Sequence, residues 1–218
     1  IEGSFQGGGI GEVSGAKFAG ALEKVLAECK AGNPLYPIII YDTGGVRLQE
    51  ANYGLLSIAE ISAAIVALKK YVPVIGIIPG KIGSFGGMSL SAGLCSALIM
   101  TREGRLGMNG PEVVEQEAGI RELNAKDKVA IWKMLGGAAR FNNHFVDALV
   151  EDDVEVFRET ILDIWSGKIT QKKRTEQIEH YLSLYHSVNL EQRMTFEDAA
   201  DLFNGSFKYS TIENTPKE

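Results

Sequence analysis

A chain of 218 residues with 45% hydrophobic and 23% charged side chains holds enough apolar material for one sizeable core. Its 22 basic and 28 acidic residues leave a net charge of −6, which gives no footing for nucleic-acid binding; Lys172-Lys173-Arg174 is a short basic run on an expected solvated helix face. No apolar run approaches the roughly 20 residues that a membrane-spanning helix needs.

Residues 1–13 carry five glycines (Gly3, Gly7, Gly8, Gly9 and Gly11), the mark of a close-approach loop. Ser14 is the expected cap of a helix with Phe18, Leu22, Val25 and Cys29 on one face, stopped by Ala31-Gly32-Asn33-Pro34. A buried strand is expected over Pro37–Tyr41. A helix follows from about Gln49 to Lys70, with Leu55, Ile58, Ile61, Ile65 and Leu68 as its apolar stripe, widened by Ala59, Ala63 and Ala64. A second buried strand at 74–78, a short helix over about Gly87–Leu94 and a strand at about Ala97–Met100 come next. Arg105–Asn109 alternates as a weak strand, and Gly110-Pro111 opens a helix with Val113, Val114 and Ala118 as apolar positions. Asp127–Leu135 reads as a helix ended by Gly136-Gly137, and Asp147–Val150 as a short strand or turn. From Asp152 glycine becomes scarce and helical periodicity dominates. Phe157, Ile161, Ile164 and Trp165 share one face, Ile178, Leu182 and Tyr185 mark a second helix, and Thr195-Phe196-Glu197-Asp198 forms a capping box for a third. The expected division is 1–151 as an α/β domain and 152–218 as a helical extension, with fraying over Glu213–Glu218.

Cys29 and Cys95 are read as buried free thiols; without a CxxC pair they do not suggest zinc, and their usage fits a reducing cytoplasm. No signal peptide is visible. The chain opens on Ile1 rather than methionine, so the native start is expected upstream.

Chemistry concentrates at two strand–glycine–helix units. One is Gly83-Ser84-Phe85-Gly86-Gly87-Met88-Ser89 after the strand at 74–78. The other is Asp42-Thr43-Gly44-Gly45-Val46-Arg47 after the strand at 37–41. A glycine turn that enters a helix brings bare N–H groups to a helix start, where unpaired donors and the helix dipole favour negative charge. Two such turns beside one another suit a developing oxyanion on a substrate carbonyl.

At these turns the sequence resembles a known group. Asp42–Ala51 resembles the Ser-Gly-Gly-Ala-Arg-x-Gln-Glu motif of acyl-CoA carboxyltransferase beta subunits. Phe5-Gln6-Gly7-Gly8-Gly9-Ile10-Gly11 is similar to their Phe-x-Gly-Gly-Ser-x-Gly loop, and Gly110–Gln116 to their Gly-Pro-x-Val-Ile-Glu-Gln segment. Within that group, Gly11–Lys17, the Gly44–Ala51 block with Asn52–Leu56, and the tail from Asp152 most resemble the beta-subunit family of biotin-independent malonate decarboxylases. The resemblance implies a crotonase-like α/β fold, a spiral of β-β-α units, whereas periodicity by itself gives only alternating strands and helices. It also implies a homologous gamma subunit as partner, and a malonyl thioester delivered on an acyl-carrier subunit. In that family the carrier bears a dephospho-CoA-derived prosthetic group, and this chain itself is expected to bind no cofactor, no biotin and no metal.

The expected oxyanion donors are the amides of Gly44 and Gly45 in one turn and of Gly86 and Gly87 in the other. Which pair holds the thioester oxygen stays open at this point. Gln6, Gly7 and Gly8 are expected beside the pantetheine arm, and Arg47, Ser84 and Phe85 beside the substrate. Arg47 has an alternative role tying its turn to Glu50 or Asp42. His144, His180 and His186 lie outside the motifs, and no Ser–His–acid triad is suggested. A biotin-dependent acyl-CoA carboxyltransferase beta subunit is the alternative function, although the chain lacks the four-cysteine zinc ribbon of bacterial versions. A non-catalytic scaffold half is the alternative outside enzymes.

Overall fold

The computed structural model describes residues 5–50, 52–80, 82–169, 174–189, 191–192 and 194–204, without the side chains of Phe5, Gln6 and Thr175. Ala51, Lys172-Lys173, residues 1–4 of the opening loop and Glu213–Glu218 lie outside the described residues. A parallel four-stranded sheet forms the centre, in the order β2 (Ile38–Ile40), β4 (Ile75–Ile78), β5 (Ala97–Thr101), β6 (Ala148–Val150). Its register pairs Ile39 with Gly76 and Ile77 with Ile99. Every residue of β4 and β5 is buried, as central parallel strands covered on both faces require.

Each long strand is followed by a short strand segment in a second layer and then by a helix. β2 leads to β3 (Gly45–Val46) and α2 (Asn52–Leu68); β4 leads to the bridge at Ser84 and α3 (Gly86–Leu94); β5 leads to bridges at Arg105 and Leu106 and α4 (Pro111–Ala118). The second layer is stitched by β1 (Gly9–Ile10) on β3 and by the parallel bridges Thr43–Ser84 and Ser84–Leu106. Three turns of strand, short strand and helix make a spiral. The core lies between the sheet and α1 (Glu12–Lys30), α2 and α3, around Tyr41, Ile61, Ile65, Leu68, Ile78 and Met88.

Several elements depart from the sequence reading. α1 begins at Glu12, so Ser14 is its third residue and bonds back to the Gly11 amide at 3.0 Å; Gly11 starts the helix because the Glu50 carboxylate occupies the space a side chain would need. Leu55, Ala59 and Ala63 of α2 face outward, and Gly54 and Ser57 are buried in their place. α2 packs on α1 and α3 along one side only. β2 is an edge strand, with Ile39 inside and Ile38 and Ile40 exposed. Residues 105–109 make single bridges at Arg105 and Leu106 rather than a strand, since each residue pairs with a different neighbour. α4 buries only Pro111 and leaves Val113 and Ala118 exposed.

After α5 (Lys128–Leu135), Gly136-Gly137 ends one helix and starts another, α6 (Gly137–Asn142). α7 (Val154–Trp165), capped by Asp153, lays Ile161 and Ile164 on Ile75, Ile77 and Ile99, and covers the sheet's second face. α8 (Ile178–Ser187) exposes Ile178, Leu182 and Tyr185, and docks instead through Tyr181 against Phe145. α9 (Phe196–Phe203) starts at Thr195 with the expected reciprocal bonds to Asp198. Both cysteines are buried and free.

Candidate active site

The two glycine turns meet. Thr43 bridges Ser84, and the Phe85 amide donates to the Thr43 carbonyl at 3.2 Å. The Asp42 Oδ1 accepts the Ile82 and Gly83 amides at 2.6 and 3.2 Å, tying the first turn to the second. Contact is closest at Gly45, whose φ is +101°; a Cβ there would stand 2.8 Å from the Phe85 carbonyl oxygen. Only glycine tolerates both the dihedral and the approach. β1 lies on the other side of the first turn, so the expected Gly7 and Gly8 sit beside Gly44 and Gly45. The Gln6 backbone belongs to the 3-10 turn Phe5–Gly8 leading into them.

The amides have different fates. Gly44 donates to the Gly7 carbonyl at 2.8 Å, Gly45 to the Thr43 hydroxyl at 3.1 Å, and Gly86 to the Met108 carbonyl at 2.9 Å. Gly87 and Met88, in the first turn of α3, have no acceptor among the described residues. The Phe85 cap offers no side-chain acceptor either; Met88 is fully buried and Gly87 partly exposed, so the open donor that the helix start presents, at the positive end of its dipole, is the Gly87 amide. Ser89 fixes the Gly86 peptide by donating to its carbonyl at 2.6 Å.

The polar side chains named from the sequence are largely engaged within the chain. Arg47 Nη1 meets Glu50 Oε1 at 2.6 Å, and Nη2 donates to the Gly9 carbonyl at 3.1 Å. Glu50 also accepts the Glu12 amide at 2.5 Å; that bond first, then Arg47, holds its carboxyl below the usual range. Ser84 is fully buried with an unpartnered hydroxyl, and Phe85 packs inward on Ile131 and Leu135. Arg105 lies over the Phe85 and Trp132 rings, at 5.6 and 5.2 Å. All three histidines are exposed, and no His/Cys/Asp/Glu group among the described residues could hold a metal ion.

Sequence reasoning did not assign roles to Thr43 or Met108, and offered Asp42 only as a partner for Arg47; all three align the turns. Asp and Thr directly after a buried strand are the signal available for Asp42 and Thr43, since both bond locally to turn amides. A groove of about 820 Å³ lies elsewhere, between α5, α6 and α9, lined by Trp132, Asn143 and Phe196 among others.

A spiral of strand, short strand and helix, with an open amide at the start of its third helix and glycine turns packed against it, defines a crotonase-like α/β protein. No protein-family model matches the chain. It is similar to a solved Pseudomonas malonate decarboxylase hetero-tetramer in complex with malonate: TM-score 0.88, 46% identity, 93% of this chain and 73% of that one. The Pseudomonas malonate decarboxylase MdcD–MdcE hetero-dimer matches with TM-score 0.77 and 48% identity, over 86% of this chain and 78% of that one. The malonyl-S-ACP:biotin-protein carboxyltransferase of Malonomonas rubra is 40% identical over 169 residues, 73% of this chain and 53% of that protein. The chain thus belongs to the family of malonate decarboxylase subunits. It spans about half the length of the curated Malonomonas relative.

Proposed function

We propose that the chain is a malonate decarboxylase beta subunit that, with a homologous gamma subunit, decarboxylates a carrier-bound malonyl thioester to the acetyl thioester and CO₂. The single observation that carries this reading is the open amide of Gly87, partly exposed at the start of α3 beside the Gly44–Gly45 turn. When the bond from the α-carbon to the carboxylate breaks, its electron pair moves onto the thioester oxygen as an enolate. Donors aimed at that oxygen lower the barrier, and one such donor contributes about 2.7–4 kcal/mol in a related setting. The enolate carbon then takes a proton to become acetyl.

The surroundings suit loss of CO₂. A Cβ on Gly87 would meet Ile58 at 2.9 Å and Val46 at 3.7 Å, so the ground beside the donor is apolar. Arg47 is neutralised by Glu50. A free cation on the substrate carboxylate would stabilise the reactant, whereas an apolar wall favours departure of neutral CO₂. In this reading the second turn supplies the thioester-oxygen donor through Gly87, while the Gly86 amide is held by the Met108 carbonyl. Gly44 and Gly45 shape the approach, and Gln6, Gly7 and Gly8 border the arm of the carrier's dephospho-CoA-derived group.

The gamma subunit docks on the outward side of α2 beside these turns. There Tyr53, Leu55, Leu56 and Val66, with Leu48 and Leu90 nearby, leave an apolar face too large for a solitary subunit. Residues 1–151 supply the site and 152–218 the helical extension, in a cytoplasmic complex. Among the described residues no helix is long and apolar enough to cross a membrane.

The likeness to a malonyl-S-ACP:biotin-protein carboxyltransferase supports a second reading, in which the same enolate chemistry passes the carboxyl group to biotin. CO₂ release from malonyl-CoA, assayed with and without the gamma partner and in the presence of avidin, separates them. Avidin-insensitive release that needs both chains is expected. Biotin-dependent transfer without free CO₂ selects the second reading, and neither activity, even with the carrier subunit added, leaves a scaffold.

A further inference from the structure

Arg174, expected from the sequence in a short basic run on a solvated helix face, is instead nearly buried, in a 3-10 turn (Arg174–Glu176) between α7 and α8 where the fold brings Asp147 to it. Its guanidinium reaches the opposite end of the helix whose first turn holds the open amide. Nε donates to the Gly93 carbonyl at 3.3 Å, and Nη2 to the Cys95 carbonyl at 3.0 Å. Nη1 meets Asp147 Oδ2 at 2.7 Å, in a pair whose side chains are 10% and 6% exposed. The same Asp147 oxygen accepts the Leu98 amide at 2.7 Å, and the Asp147 amide donates to the Leu98 carbonyl at 2.8 Å.

A helix end leaves carbonyls without intrahelical donors, commonly capped by a glycine in the left-handed region. α3 has no such glycine: its cap is Cys95, at φ −57° and ψ 152°. Arg174 supplies donors to the end of α3 and to Cys95, and Asp147 locks the fork to the first residues of β5. The planar guanidinium bonds three acceptors at once, which an ammonium on a flexible stem does not reproduce. At nine residues α3 is short, so a tilt at its C-terminal end moves its first turn directly.

We infer that Arg174 is a positioning residue: by clamping the C-terminal end of α3 through Gly93, Cys95 and Asp147, it sets where the Gly87 amide points. The inference rests on the reading of that amide as an oxyanion donor. The clamp also gives the C-terminal segment a part in turnover without touching substrate.

The test is Arg174→Lys in the complex with its gamma partner, with Asp153→Ala as control. The control removes the α7 cap, in which Asp153 accepts from Glu155 and Val156, and so destabilises the fold away from α3. Two quantities are read: hydrogen exchange of the amides over 86–94, and kcat and KM for CO₂ release from malonyl-CoA. Arg174→Lys is expected to speed α3 exchange about tenfold relative to α2, and to lower kcat about tenfold with KM within twofold of wild type. Asp153→Ala leaves both unchanged. Wild-type exchange in α3, or equal loss over α2 and α7, overturns the clamp. So does an unchanged kcat in an active complex. A wild-type complex that releases no CO₂ overturns the decarboxylase reading instead, and the exchange data then decide the clamp by themselves.

Discussion

Gly45→Ala tests the meeting of the two turns most directly. The added Cβ would stand 2.8 Å from the Phe85 carbonyl oxygen and 3.2 Å from the Gly86 Cα. Ordinary contact begins at 3.4 Å, so the first turn and the start of α3 must separate by about 0.6 Å, the difference between 3.4 and 2.8. Both close atoms are backbone, so no rotamer change absorbs the shift. An alanine at φ +101° adds about 1–2 kcal/mol of strain. At 2–4 °C per kcal/mol for a chain of this size, the melting temperature should fall by roughly 2–8 °C. The donor at Gly87 moves with the helix start. A misplacement of about 1 Å costs on the order of a hundredfold in rate, so a shift of this size should lower kcat roughly ten- to hundredfold. The assay is CO₂ release from malonyl-CoA by the reconstituted complex, with a thermal melt and a check of subunit association on the same preparation. A folded, associated Gly45→Ala complex that turns over at the wild-type rate would refute the placement of the donor.

Gly20→Ala is the opposite case: no atom lies within 4 Å of its added Cβ, and it sits inside α1, so it should stabilise by about 0.5–1 kcal/mol and leave turnover unchanged; a lower melting temperature would contradict the open space described there. Alkaline pH should weaken the fold through Cys95, whose thiol burial pushes up to about 11 from an ordinary 9.0 and whose neighbour Tyr41, at 3.4 Å, is raised by burial as well. The folded state holds these protons longer, so their contribution is full below about pH 9 and is lost as pH rises towards 11. Urea melts from pH 8 to 10.5 should show stability falling, with a shallower fall in Cys95→Ala; parallel slopes would rule the thiol out.

The sequence by itself determined the alternation of buried strands and helices, because apolar runs and glycine or proline breaks are local signals. It also located the two glycine turns, since a strand followed by Gly-Gly and a helix of small residues has few other uses. Tertiary structure decided which of those glycines offers a donor. The four amides look alike in sequence, but Gly44, Gly45 and Gly86 find acceptors in Gly7, Thr43 and Met108, residues 2–37 positions away, and Gly87 finds none. Burial of the α2 stripe was decided the same way. Leu55, Ala59 and Ala63 satisfy the helical period as well as Ile58 and Ile61 do, but α1 and α3 cover only one side. Arg47 and Arg174 show the limit most plainly. Arg47 stands alone and Arg174 ends a short basic run, and neither has anything local to separate substrate contact, solvated surface and scaffold. A guanidinium takes its role from acceptors brought to it by the fold: Glu50 and Gly9 for Arg47, and Gly93, Cys95 and Asp147 for Arg174.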